Sequence, residues 1–164
     1  MTEDTILTRD AAATHRAGAA LGRVVEAGDV IALSGGLGAG KTALVQGLAA
    51  GLGVSGHVPS PTFNILLVHP GALPLYHFDL YRLERPDELV DIDFWETLES
   101  GGVSAIEWAD RFPGELPVDR LDVVIDVVDE TTRALHPTGT GSRSRLLARR
   151  WLAEWRTDTG RVAG

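Results

Sequence analysis

The chain has 164 residues, 44% of them hydrophobic, a length and composition expected to give one domain around one core. A net charge of −8 argues against a broad basic face for nucleic acid, so any role in a nucleic-acid pathway is expected to run through protein partners. Cysteine is absent, which excludes disulfides, thiol catalysis and Cys-ligated zinc.

The opening "MTEDTILTRD" lacks the basic start and apolar run of a signal peptide, and no later stretch approaches the roughly 18 apolar residues of a membrane span. A cytoplasmic protein is expected. Residues 8–26 are Ala-rich, without proline, and predict a first helix that ends near Gly28. Asp29 to Gly35, "DVIALSG", is a short apolar run stopped by glycines and predicts a buried strand. Residues 41–52 carry apolar side chains at helical spacing and predict a second helix. Gly53 to Thr62, rich in Gly, Ser and Pro, predicts a loop.

Phe63 to His69 and the run ending at Asp79 predict two strands joined by the turn "PGALP". "RPDELVDIDFWETLES" predicts one or two short helices, and Gly102 to Trp108 another apolar strand, with Glu107 near its end. Two later segments, "DRLDVVIDVV" and "TTRALHPTG", predict an antiparallel pair, followed by an amphipathic helix over about 142–156. Strands interleaved with helices predict an α/β three-layer sandwich around a mostly parallel sheet, with a core over about 8–138. Arg143, Arg145, Arg149 and Arg150 form the one basic cluster, read as a solvated helix face.

"GGLGAGKT", from Gly35 to Thr42, matches G-x-x-x-x-G-K-[ST] between a predicted strand and a predicted helix, the pattern of a P-loop (Walker A). Glycine lets backbone N–H groups curl around phosphate oxygens with no Cβ in the way. Gly35, Gly36, Leu37, Gly38, Ala39, Gly40, Lys41 and Thr42 are therefore the candidate phosphate cradle. Lys41, the only lysine in the chain, supplies a point charge, and the helix starting there adds its positive dipole end. The Thr42 hydroxyl is placed to ligate Mg²⁺.

Such a loop needs a carboxylate at a nearby strand end, to hold the cation and to position water, and Asp79 and Glu107 both qualify. Ser60 and Thr62 present hydroxyls after the loop helix, where nucleotide switches sense the terminal phosphate; a Pro-rich turn with a capping Thr fits equally well. Trp108 is either core or a wall of the site. His15, His57, His69, His77 and His136 show no metal-ligand spacing and read as surface or packing residues.

"LSGGLGAGKT", "VPSPTF", "HFDLYRL" and "IEW", in this order, resemble the bacterial TsaE family (formerly YjeE), the ATPase of tRNA threonylcarbamoyladenosine biosynthesis, over roughly residues 8–138. The resemblance implies a P-loop α/β protein that uses ATP and Mg²⁺ and works with TsaD and TsaB, meeting tRNA only through that complex. It implies that Lys41 and the loop amides bind phosphates, that Thr42 and Glu107 hold Mg²⁺, and that Asp79, also near the metal, assists hydrolysis. Thr62 would lie in a switch-like loop, Trp108 would border the nucleotide, and Arg133 would approach it. The chain departs from the family at Asp93, where a Gly is usual, and at Leu67, where a Glu is frequent. The alternative is a small-molecule P-loop kinase, although the segment between Asp79 and Glu107 lacks an arginine-rich lid; a nucleotide-gated module that barely hydrolyses ATP is a third reading. The absence of an N/T-K-x-D guanine-reading motif favours ATP over GTP.

Overall fold

The computed structural model describes residues 4–54 and 65–163. The elements run β1 (Ile6–Thr8), α1 (Ala11–Gly22), β2 (Val30–Ser34), α2 (Lys41–Gly51), β3 (Leu66–His69), β4 (Leu75–Asp79), α3 (Phe94–Leu98), β5 (Val103–Glu107), β6 (Leu121–Val127), β7 (Arg133–Gly139) and α4 (Ser142–Ala163). A 3₁₀ helix over Pro86–Ile92 precedes α3. The strands form one sheet in the order β1-β7-β6-β2-β5-β4-β3. The central strands β6, β2, β5 and β4 pair in parallel, and β1 also runs in their direction, whereas β7 and β3 run against it. Five of the seven strands among the described residues thus share one direction, as a mostly parallel α/β sheet requires. The late pair β6–β7 is antiparallel as its sequence predicts.

Both terminal helices differ from the sequence reading. The predicted helix over 8–26 is shorter at both ends: Ile6–Thr8 is a strand paired with residues 133–135, and the helix runs from Ala11 to Gly22. Asp10 is its N-cap, its carboxylate accepting the Ala13 N–H at 2.7 Å. The three-residue alternation of β1 is too short to read locally, and its partner lies far along the chain. The closing helix runs on to Ala163 rather than ending near 156, anchored in part by Arg23, which pairs with Glu154 at 2.8 Å and Asp158 at 3.4 Å.

Alternation along the strands sorts side chains into two apolar layers. Ile31 and Leu33 of β2, Val103 and Ala105 of β5 and Leu121, Val123 and Ile125 of β6 pack with α1, α2 and α4. Val30 and Ala32, Phe78 and Ile106 face the other way, onto Leu89, Phe94 and Leu98. Trp151 of α4 is fully buried, its Nε1–H donating to the Ala17 carbonyl at 2.8 Å. Arg143 and Arg150 from the basic cluster are not merely solvated. Arg143 holds Asp29 at 2.7 Å, and both arginines reach Glu26, tying α4 to the turn that leads into β2.

The position of α2 is set by unusually close packing on α1. Gly18 and Gly22 on α1 face Gly47 and Gly51 on α2, one helical turn apart in each helix. A Cβ at any of the four would lie between 1.9 and 2.4 Å from a carbonyl oxygen of the opposing helix. Small residues let the two backbones approach this far, and that approach seats the N-terminus of α2 at the C-terminal ends of the central strands β2 and β5.

Candidate functional site

Gly35–Thr42 leaves the C-terminal end of β2, a buried central strand, and enters α2 at Lys41. The loop turns through left-handed backbone at Gly38 (φ 73°) and Gly40 (φ 108°), conformations that a side chain disfavours. Gly40 is the N-cap of α2 and contributes no side chain, so the first N–H groups of the helix are left for an anion. Lys41 is 5% exposed. Its ammonium donates to the carbonyls of Gly35 at 2.7 Å and Gly36 at 2.8 Å and lies 4.0 Å from the centroid of the Trp108 ring. Burial pushes its pKa down, while the nearby charges of Glu107, Asp110 and Asp79 pull it back up.

Sheet order decides what faces the loop. β5 lies directly beside β2, and β4 lies beside β5, so Asp79 and Glu107 are register partners at adjacent strand ends. Glu107 is buried at 3% exposure, and the Thr42 hydroxyl donates to its carboxylate, 3.1 Å from Oε1 and 3.3 Å from Oε2. Asp79 is half-buried and accepts the Tyr81 N–H at 3.0 Å. Desolvation raises its pKa, and the Glu107 charge adds to this; the Tyr81 N–H, His77 and Lys41 oppose it. These side chains line a cleft of about 400 Å³ bounded by Leu37–Ala43, Tyr81 and Trp108.

Trp108 has φ 58° and ψ 36°, a left-handed conformation that costs a bulky residue roughly 1–3 kcal/mol. In that conformation the indole stacks on Tyr81, centroids 4.8 Å apart, and lies beneath the Lys41 ammonium. Trp108 is thus a wall of the cleft that also packs, half-buried, against the apolar layer of Phe78 and Phe94. Among the described residues Asp93 is the other non-glycine residue of this kind, with φ 51°. It lies between the 3₁₀ helix and α3, away from the loop.

Arg133 lies on the opposite flank of the loop. Its Nε–H donates to the Ala39 carbonyl at 3.1 Å and an Nη2–H to that of Gly38 at 3.3 Å, so it straps the loop backbone to β7. With Asp10, Thr14 and Glu130 it lines a second cavity of about 280 Å³. Ser60 and Thr62 lie outside the described residues. Among the described residues no group of three His, Asp or Glu could hold a metal, so a cation here would be held by few protein oxygens. That suits Mg²⁺, which keeps several waters and takes its other ligands from phosphates. The Thr42 and Glu107 oxygens are hard donors of the right class.

His77, read from the sequence as a surface or packing residue, is a packing residue with a polar partner. The ring is fully buried in β4, and its Nε2 lies 2.5 Å from Oε2 of Glu107. The available signal was the strand's alternation, which puts residues 75, 77 and 79 on one face, so His77 and Asp79 share it. Tyr81 and Asp110 also escaped notice, because their approach to Trp108 and Lys41 depends on how the loops after β4 and β5 turn.

A family model described as threonylcarbamoyl adenosine biosynthesis protein TsaE matches residues 8–135. A "tRNA threonylcarbamoyladenosine biosynthesis protein TsaE" from Streptomyces coelicolor is 45% identical over 153 residues, covering 90% of this chain and 97% of its own length. One of the same description from Treponema pallidum is 41% identical over 129 residues, covering 79% of this chain and 96% of its own. The crystal structure of Bacillus subtilis YdiB superposes with a TM-score of 0.76 at 32% identity, covering 90% of this chain and 92% of that one.

Proposed function

This chain belongs to the TsaE family, and on that premise we propose that it is a Mg²⁺-dependent ATPase supporting N6-threonylcarbamoyladenosine modification of tRNA. Its hydrolysis would drive turnover of a TsaD–TsaB complex in the cytoplasm, with tRNA bound by the partners rather than by this acidic chain. Among the described residues no helix is long and apolar enough to cross a membrane.

The observation that carries this reading is the contact between Thr42 and Glu107. A phosphate-loop hydroxyl donates to a buried strand-end carboxylate, with Asp79 in register beside it. In the proposed reaction the loop amides and Lys41 bind the phosphates of ATP, and Thr42 and Glu107 hold Mg²⁺. The cation, when bound, would neutralise charge on the phosphates. Asp79 accepts a hydrogen bond from the attacking water and takes up its proton. Its place at the strand end beside Glu107, in register with it, is the geometry that supports this role. Trp108 and Tyr81 shield one side of the cleft, and Arg133 keeps the loop backbone in its curled form.

The test is ATP hydrolysis with and without Mg²⁺, by the chain alone and with TsaD and TsaB from the same source. Low activity that rises with the pair is expected. Lys41→Ala should abolish nucleotide binding, and Glu107→Ala should bind nucleotide yet lose Mg²⁺-dependent hydrolysis. A Glu107→Ala variant that hydrolyses ATP normally refutes the assignment of that strand end. Activity indifferent to the pair, but raised by a small hydroxylated acceptor, replaces this reading with a kinase.

A further inference from the structure

A buried carboxylate is stable only with donors to hold it. Among the described residues Glu107 has two such neighbours, the Thr42 hydroxyl and His77 Nε2. An ionised carboxylate only accepts, so Nε2 carries the proton and donates it to Oε2. The two donors differ in origin. Thr42 belongs to the phosphate loop, whereas His77 projects from the interior of β4, two residues before the strand ends.

Nothing in the packing around position 77 calls for an imidazole. The residue is 0% exposed, β3 presents Leu67 opposite it, and its Nδ1 is buried with no hydrogen-bond partner among the described residues. His69 on β3 lies 6.3 Å away between ring centroids, and its Nε2 is likewise unpaired. A buried nitrogen left unpaired costs about 1–3 kcal/mol, which an aliphatic side chain would avoid. What the histidine supplies is its bond to Glu107.

We propose that His77 is a positioning residue for Glu107, a fixed donor from the sheet that anchors Oε2 and sets the carboxylate toward Thr42 before a cation arrives. The proposal rests on the nucleotide reading above. Groups that hold a metal-binding carboxylate from behind govern cation affinity more than nucleotide affinity.

The test measures ADP binding by equilibrium dialysis across a Mg²⁺ titration, for the full chain and for His77→Leu and His77→Gln, with far-UV circular dichroism confirming the fold. Gln carries an amide donor at about the reach of Nε2, whereas Leu has none. His77→Leu is expected to raise the Mg²⁺ midpoint about 10- to 100-fold and to leave metal-free ADP binding unchanged, with His77→Gln within about threefold of the parent. A His77→Leu midpoint within about threefold of the parent, or equal losses with and without Mg²⁺, overturns the proposal. If His77→Leu does not fold, His77→Gln against His77→Asn decides, because the Asn amide is one carbon short. Equal midpoints for those two overturn it as well. A parent chain whose ADP binding ignores Mg²⁺ refutes the nucleotide–metal reading itself, while a responsive parent with an unmoved variant removes only the role of His77.

Discussion

Replacing Gly47 by alanine probes the packing that positions the Gly35–Thr42 loop. The added Cβ would lie 1.9 Å from the His15 carbonyl oxygen, 2.8 Å from its carbon and 3.0 Å from the Ala19 nitrogen. All three are backbone atoms of α1 and cannot rotate away. Restoring ordinary contact requires α1 and α2 to separate by about 1.5 Å at this point, in an interior packed like a crystal. Gaps of about 0.5–1 Å forfeit a quarter to a half of the dispersion energy of a contact. Ala17, Ala20 and Leu21 of α1 and Leu44, Val45 and Leu48 of α2 share the core cluster that would open. Alanine recovers about 1 kcal/mol of helix propensity. Overpacking of this kind costs up to about 3 kcal/mol or more, so a net loss of about 2 kcal/mol is expected. Gly160→Ala makes the same chemical change in α4, where nothing lies within 4 Å of the new Cβ. There only propensity acts, and a gain of about 0.5–1 kcal/mol is expected. Urea denaturation followed by far-UV circular dichroism measures both variants. Gly47→Ala as stable as the parent, or both variants shifting in the same direction, would refute the claim that backbone contact between α1 and α2 sets this packing.

Asp79→Asn should be more stable than the parent at pH 7. A folded-state pKa held above the unfolded value of 3.8 means that the ionised form opposes folding as pH rises through the folded value. The gap should therefore close as pH falls toward 3.8, and thermal melts showing a pH-independent gap would refute the burial argument. Arg143→Ala leaves the buried Asp29 carboxylate with only the Glu26 N–H, at 2.7 Å, among its described donors. It should destabilise by about 1–3 kcal/mol. Arg149→Ala, exposed on the same helix, should stay within about 0.5 kcal/mol, and equal losses from the two would show that Arg143 acts only as one of a set of surface charges.

The Gly35–Thr42 loop and the helix after it were legible because their signal is contiguous: eight residues running from the end of a strand into a helix carry the glycines, the lysine and the hydroxyl of the motif. The strand ends at Asp79 and Glu107, the late antiparallel pair and the α/β class were legible for the same reason, since alternation and helical spacing are local patterns. Pairing across the sheet is not local. Only the order β2-β5-β4 brings Glu107 to Thr42 and sets Asp79 one strand further out. The same order turns His77 from an ordinary strand residue into the partner of Glu107. The strand at Ile6–Thr8 escaped notice because three alternating residues carry little signal until β7 meets them. The four facing glycines belong to two separate helical segments, and only the tertiary structure closes the two backbones on them. Trp108 gave no sign of its left-handed backbone, which the contacts with Tyr81 and Lys41 accompany. The sequence by itself determined which backbone could wrap a phosphate and which strands would end in a carboxylate. The tertiary structure decided which carboxylate meets the loop and what holds it there, because strand order and helix approach are won by burial over long separations in the chain.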